Sequence, residues 1–245
     1  MPIQPILDAE TAARNMAEKE PRYTAQEALI EANRCLFCFD APCIMACPTG
    51  IDIPSFIKKI ANKNPVASAR TILTANVLGA SCARVCPTEV LCEGACVVLD
   101  LEGDPVKIGR LQRYATDYVF EHHIDVLHAP KQKNGKKVAV LGAGPAGLGC
   151  AAELAQLGYE VTVFDKKKAG GGLNTYGIAY YKMRPEISLD EVKMIERLGV
   201  KFRYGVEIGQ DITAAQLEKD FDAIVLGLGL GGANRLGIPG EDLPE

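Results

Sequence analysis

Apolar residues recur at helical spacing through the first half of the chain and fall in short unbroken runs through the second. Thr24 followed by Glu27 has the pattern of a capping box and predicts a helix over residues 25–33. Ile53-Pro54 predicts a second helix, with proline in its first turn, and Asn64-Pro65 opens a third that reaches about residue 76. Ile108, Leu111, Tyr114, Ala115, Tyr118 and Val119 share one helical face, so a fourth helix is expected over 109–122. Between Cys82 and Asp104 the chain is dense in cysteine and glycine, and it reads as turns shaped around a bound group.

The pattern changes after a polar, basic stretch from Ala129 to Lys137 that contains Pro130 and Gly135. Residues 138–141 form an apolar run suited to a buried parallel strand. A helix is expected over 146–157, ended by Gly158, then a strand over 160–164. A further helix over 188–198, ended by Gly199, and strands over 201–204 and 223–226 complete the pattern. Two domains follow: an α-helical one over residues 1–130 and an α/β one over 137–245. No internal repeat or low-complexity tract is present.

Composition narrows the function. The 245 residues suit one or two domains, and 48% hydrophobic with 24% charged residues is ordinary for a globular chain. A net charge of −4 offers no excess of cations for a nucleic-acid backbone. The longest uncharged run has fifteen residues, Val138 to Ala152, and is broken by glycines, so no membrane helix is expected. Met1-Pro2-Ile3-Gln4 has neither the basic nor the apolar region of a signal peptide, which points to the cytoplasm.

Cysteine departs from this plain picture. Of nine, eight lie between residues 35 and 96. Cys35, Cys38, Cys43 and Cys47 are spaced C-x2-C-x4-C-x3-C-P, and Cys82, Cys86, Cys92 and Cys96 follow with a second Cys-Pro at Cys86-Pro87. Such runs let several thiolates converge, and a closing Cys-Pro is the ferredoxin pattern in which the last cysteine serves the other cluster. Two [4Fe–4S] clusters with crossed ligands are the expectation; two four-cysteine zinc sites and unligated thiols are the alternatives. Cys150, among small residues of the predicted helix, reads as a core residue, and His122, His123 and His128 read as surface residues.

Gly142-Ala143-Gly144-Pro145-Ala146-Gly147 is G-x-G-x-x-G between a strand and a helix, and the next strand ends at Asp165, 23 residues after Gly142. Gly142 suits a tight turn, Gly144 a close pyrophosphate and Gly147 close helix–strand packing, with the helix N-terminus facing the phosphates. FAD and NAD both use this fingerprint; Gly170-Gly171-Gly172-Leu173 tilts the reading toward the bulkier FAD.

With these motifs in view, the chain resembles the reductase module shared by dihydropyrimidine dehydrogenases and the small subunit of NADPH-dependent glutamate synthase. The resemblance rests on Arg34 to Cys38, Asp40 to Cys43, Cys47-Pro48-Thr49, Cys82 to Thr88, Gly109 to Tyr114 and Gly142 to Leu148. It implies an iron–sulfur helical domain followed by a Rossmann-like FAD-binding domain. It further implies one [4Fe–4S] cluster on Cys35, Cys38, Cys43 and Cys96, and a second on Cys47, Cys86, Cys92 and Gln112, with Cys82 left over. Without the resemblance, Gln112 would read as a surface helix residue. For FAD the resemblance implies contacts at Val85, Gly142, Ala143, Gly144, Pro145, Ala146, Gly147, Asp165, Lys166, Gly171, Gly172, Leu173 and Lys182. Ala179, near Lys182, stands where the family usually has proline.

The function so implied is an oxidoreductase module. Electrons from NAD(P)H would pass through FAD and both clusters to a partner subunit with its own flavin that reduces pyrimidines, in a hetero-oligomer. No general acid, base or nucleophile is required. A glutamate synthase-type reductase, against which Gln112 argues, and a non-catalytic electron carrier are the alternatives. Family chains continue into a second Rossmann domain for NAD(P)H. Here a single G-x-G-x-x-G stands between a predicted strand and a predicted helix, and residues 237–242 resemble the point where the family chain leaves its FAD domain. The FAD-binding domain is therefore expected to be incomplete at its C-terminal end, the pyridine-nucleotide site to lie elsewhere, and the chain to be a fragment or one piece of a split protein.

Overall fold

The computed structural model describes residues 16–231 and 237–241, together with Asp8, Glu10, Thr11 and Arg14. Residues 1–7, Asp242 at the expected exit from the second domain, and the three residues after it lie outside the described set.

Local capping sets the helical half. Helix α1 (Ala25–Ala32) opens on a capping box, in which the Glu27 carboxylate accepts the Thr24 N–H at 2.7 Å and the Thr24 hydroxyl accepts the Glu27 N–H at 3.2 Å. A short helix α2 (Pro42–Met45) follows. The Asp52 side chain caps α3 (Ile53–Ala61), and Asn64 caps α4 (Pro65–Ala75), each with proline in the first turn. The Cys82–Asp104 stretch is more regular than its composition suggests: it holds much of α5 (Gly79–Val85), a 3₁₀ turn at Thr88–Val90 and α6 (Val97–Glu102). Helix α7 (Ile108–Glu121) is the hub, packed on α3, α4 and α5. Its Leu111 joins Phe56, Ile57 and Ile72 as fully buried side chains, each contributing about 1.5–3 kcal/mol of burial.

The second half is a parallel sheet. Its strands are β1 (Lys137–Leu141), β2 (Glu160–Asp165), β3 (Lys201–Tyr204) and β4 (Ala223–Leu226), in the order β3-β2-β1-β4. Val138 pairs with Val161 on one side and Ala223 on the other. Helix α8 (Pro145–Gln156) joins β1 to β2. A four-residue helix α9 (Leu173–Tyr176) and α10 (Pro185–Arg197) join β2 to β3. Helix α10 begins three residues before the expected 188 because Pro185 is already preset for the first turn. Helix α11 (Ala214–Asp220), with a capping box at Thr213 and Gln216, leads into β4.

Period-2 alternation divides the sheet's burial. Val138 and Val140 join a core shared with the helical half, whereas Ala139 and Leu141 pack with Phe164 and Leu217 on the other face. The shared core runs from Tyr23 to Val200, so buried side chains connect the two halves. One polar clamp crosses between them. Glu191 of α10, fully buried, accepts the Ala80 N–H at 2.9 Å, the Ser81 N–H at 2.8 Å and the Ser81 hydroxyl. Those donors are the unsatisfied amides at the start of α5, so a carboxylate 110 residues away caps that helix.

Candidate functional site

Cys35 and Cys38 lie on the loop after α1, Cys43 on α2 and Cys96 at the start of α6. All four line one cavity, whose apolar wall includes Ile53 and Ile57 of α3. Burial pushes the Cys43 thiol up to about 11, with the neighbouring Cys35 and Cys96 adding to the rise. Cys35 is raised for the same reasons, burial first. Such a ring disfavours bare thiolates and becomes a ligand set when a cationic metal centre compensates the charge. Among the described residues no three Cys, His, Asp or Glu side chains close on a point suited to one metal ion; these thiols surround a space.

The second group gathers around α5. Cys47, from the end of the first cysteine run, stands near Cys82, Cys86 and Cys92 rather than with Cys35. The structure thus brings Cys43 and Cys47, four residues apart, to different groups, and sends Cys92 and Cys96 apart likewise. Burial raises Cys82 and Cys92 to about 12, and like-charged neighbours add to it. Cys86 is raised as well, by burial. At Cys47 burial also raises the thiol, but the Thr49 hydroxyl and the Ile51, Thr49 and Gly50 amides outweigh it and hold the pKa below the usual value. Its sulfur lies 3.5 Å from Thr49 Oγ1.

Gln112 departs from the surface position that the residues alone suggest. It is 5% exposed, on the face of α7 that meets α5, and its Nε2 donates to the Gly79 carbonyl at 2.8 Å. Its side chain lies beside Cys82. Cys82, which the resemblance leaves over, sits inside the second group between Cys86 and Gln112. A signal for Gln112 was present: it falls between Ile108 and Ala115 on the buried stripe of α7, where an amide needs partners.

Past the carboxyl end of β1 the glycine turn is built as its spacing suggests. Gly142 has φ 106°, and a Cβ at Gly147 would meet the Gly142 carbonyl oxygen at 1.9 Å. Asp165 accepts the Ala143 N–H at 2.7 Å and the Lys167 N–H at 2.8 Å, which ties the end of β2 to the turn. Each carboxylate oxygen keeps a second lone pair for a ligand hydroxyl. Gly171 N–H donates to the Ala143 carbonyl at 2.7 Å, and a Cβ on Gly172 (φ 54°) would stand 2.7 Å from Gly144 Cα. The second glycine run is therefore packed against the first. Gly144 itself faces open space apart from Gly172, and α8 starts with Pro145 and no side-chain cap. Uncapped amides at a helix start fit a phosphate.

Other expected residues lie further out. Ala146 and Leu173 are exposed, Val85 is half-buried beside Cys86, and Lys182 is exposed on the turn before α10. Lys166 is exposed and pairs loosely with Glu207 at 3.9 Å. Cys150 is half-buried rather than in the core, because α8 turns that face partly to solvent. His122, His123 and His128 are exposed, as expected.

Comparison with known proteins follows the same division. Residues 12–124 match the family described as dihydropyrimidine dehydrogenase domain II, 4Fe-4S cluster. Residues 136–244 match the pyridine nucleotide-disulphide oxidoreductase family. The NAD-dependent dihydropyrimidine dehydrogenase subunit PreT of Escherichia coli K12 is 38% identical over 96% of this chain and 55% of its own length. The glutamate synthase [NADPH] small chain of Halomonas elongata is 39% identical over 96% of this chain and 50% of its own length. The chain is similar to both subunits along nearly its whole length. It spans about half the length of the curated relatives it matches. The two halves match different families, the helical half an iron–sulfur domain and the sheet a pyridine nucleotide-disulphide oxidoreductase domain. No helix among the described residues is long and apolar enough to cross a membrane.

Proposed function

We propose that the chain is the electron-transfer part of an NAD(P)H-oxidising subunit. In this reading it carries FAD at the glycine turn and two [4Fe–4S] clusters in the thiol groups. When bound, these groups supply the redox chemistry, the flavin exchanging electron pairs with a nicotinamide and single electrons with the clusters. The supporting observation is the exchange of Cys47 and Cys96 between the two cysteine runs, which leaves four thiols around one space and Cys47, Cys82, Cys86 and Cys92, with Gln112 beside Cys82, in the other group. A pair of independent zinc sites, each drawn from one run, does not need that exchange.

The chain's own residues hold and orient. Cys35, Cys38, Cys43 and Cys96 would ligate the first cluster, and Cys47, Cys86, Cys92 and Gln112 the second. A neutral amide in place of a thiolate makes the second site less negative by one charge, which tunes potential. The α8 N-terminus and the backbone of Gly142 to Gly147 would take the pyrophosphate, and Asp165 a ribose hydroxyl. Gly171 and Gly172 would let the cofactor pass close to backbone. We further propose cytoplasmic residence, domains of residues 1–130 and 137–245, and a hetero-oligomeric partner that carries its own flavin and reduces a pyrimidine. The buried amide Gln112 beside the second thiol group favours that partner over a glutamate synthase large subunit.

The test is anaerobic photoreduction of the flavin-loaded protein, followed by electron paramagnetic resonance. Cluster signals should appear as the flavin bleaches, and Cys47→Ala should remove one of the two. A reduced flavin beside clusters that stay oxidised contradicts the proposal.

A further inference from the structure

We infer that Glu191 is a positioning residue for the second thiol group. From the sheet half of the chain it holds Gln112 in place through a single peptide group, Gly79–Ala80. This rests on the assignment of Gln112 to the second cluster and goes beyond it by naming what fixes the amide.

Both ends of that peptide are engaged. Gln112 Nε2 donates to the Gly79 carbonyl at 2.8 Å, and the Ala80 N–H donates to Glu191 Oε1 at 2.9 Å. A peptide group is planar, and in the trans form its C=O and N–H point in opposite directions. Glu191 and Gln112 therefore face each other across one rigid plate, and turning the plate disturbs both. A carboxylate on the N–H end also polarises the unit, and hydrogen bonds linked in this way strengthen one another. The Gly79 carbonyl can only accept, so it takes the amine arm of Gln112 and leaves the amide oxygen as the arm that would ligate iron.

The plate sits in the interior, since Gly79, Ala80, Gln112 and Glu191 are all buried. A Cβ at Gly79 would stand 2.7 Å from Ile72 Cγ2, so glycine lets the peptide lie close against α4. Glu191 is itself held in place. Ser188, one turn earlier on α10, lies 3.0 Å from the Thr175 hydroxyl, which donates to the Gly170 carbonyl at 2.7 Å. The helix that carries Glu191 is thus pinned to the second glycine run. The remaining contacts of Glu191, to the Ser81 N–H at 2.8 Å and to the Ser81 hydroxyl, cap α5. Only the Ala80 N–H belongs to the peptide that Gln112 grips, so capping and positioning use different atoms.

The experiment uses the anaerobically purified full chain. Its readouts are iron and labile sulfide content, the urea midpoint, and the Mössbauer spectrum and midpoint potential of the second cluster, identified by its loss in Cys47→Ala. Glu191→Ala should keep the full iron and sulfide content while altering that spectrum and shifting that potential, with the first cluster unchanged. Glu191→Gln, whose amide oxygen still accepts the Ala80 N–H, should restore both. Ser81→Ala removes one bond of the same carboxylate but spares the plate, so it should lower the urea midpoint and leave the spectrum as it was. In a Gln112→Ala background the Glu191→Ala change should add nothing to the spectrum, because its effect travels through the amide. Should Glu191→Ala not fold, Glu191→Asp, one methylene short of the Ala80 N–H, takes its place with the same expectations. A folded variant with the parental spectrum and potential would overturn the inference by making Glu191 a helix cap alone. An undiminished change in the Gln112→Ala background would overturn it by routing the effect around Gln112. If Gln112→Ala alone leaves spectrum, potential and iron unchanged, the ligand assignment itself fails and takes the inference with it, whereas the two preceding outcomes leave that assignment standing.

Discussion

A methyl group at Gly147 would stand 1.9 Å from the Gly142 carbonyl oxygen, inside any van der Waals contact. That oxygen is backbone and cannot swing aside. Gly147→Ala should therefore cost roughly 1–3 kcal/mol, read as a lowered urea midpoint. An unchanged midpoint would show that the turn is looser than described. Gly172→Ala meets Gly144 Cα instead, so it should also displace the first glycine run and weaken flavin binding, measured by equilibrium dialysis. Gly147 was legible in the sequence because the fingerprint fixes each of its glycines by local spacing. Gln112 was legible only through the family, since one polar residue on an apolar stripe has no local signature of what it binds. Spacing alone counts eight cysteines for eight positions; the resemblance leaves Cys82 over, and the structure sets it within the second group.

Helix α5 shows why element-level reading failed between Cys82 and Asp104. Gly79, Ser81 and Cys82 have little intrinsic helix preference, and no local side chain caps the helix start. The cap comes from Glu191 in the other half of the chain, which no window of neighbouring residues contains. Burial raises the Glu191 carboxyl to about 7, against the opposing pull of Ser81 and Ala80. An acid with a raised native pKa contributes stability that is complete below its unfolded value of about 4.5 and fades as pH climbs through about 7. The loss across that window should be at most about 3 kcal/mol, at about 1.4 kcal/mol for each pH unit between the two values. Thermal melts from pH 4.5 to 8 should show this decline, and Glu191→Gln should flatten it. An equally steep decline in the variant would assign it to other groups.

A second buried network fastens the segment before α1. Arg113 pairs with Glu18 and, at 3.2 Å, with Asp117, while Arg84 reaches Asp117 at 2.7 Å and Glu18 at 3.5 Å. These side chains are 3–14% exposed, so removing one partner strands a charge. Asp117→Ala should cost about 3–5 kcal/mol in a urea titration. A cost under 1 kcal/mol would mean that water reaches both arginines.

At the scale of the molecule, the two halves were each readable and their union was not. Capping boxes, prolines and period-2 strands act over a few residues, so the helices at 25–32, 53–61, 65–75 and 108–121 and all four strands lie close to where the pattern put them. The order β3-β2-β1-β4 and the core that continues from Tyr23 through Val200 depend on contacts across the chain. The same contrast holds for the site. The cysteine runs and the closing Cys-Pro pairs already suggest crossed groups, but the place of Cys82 beside Cys47 and Cys86 is a product of the fold.

Two four-iron clusters are the central claim, and metal analysis tests it most directly. Anaerobically purified protein should contain about eight irons and about eight acid-labile sulfides per chain, falling to about half in either Cys96→Ala or Cys47→Ala. Zinc in place of iron, or iron without labile sulfide, would contradict the account.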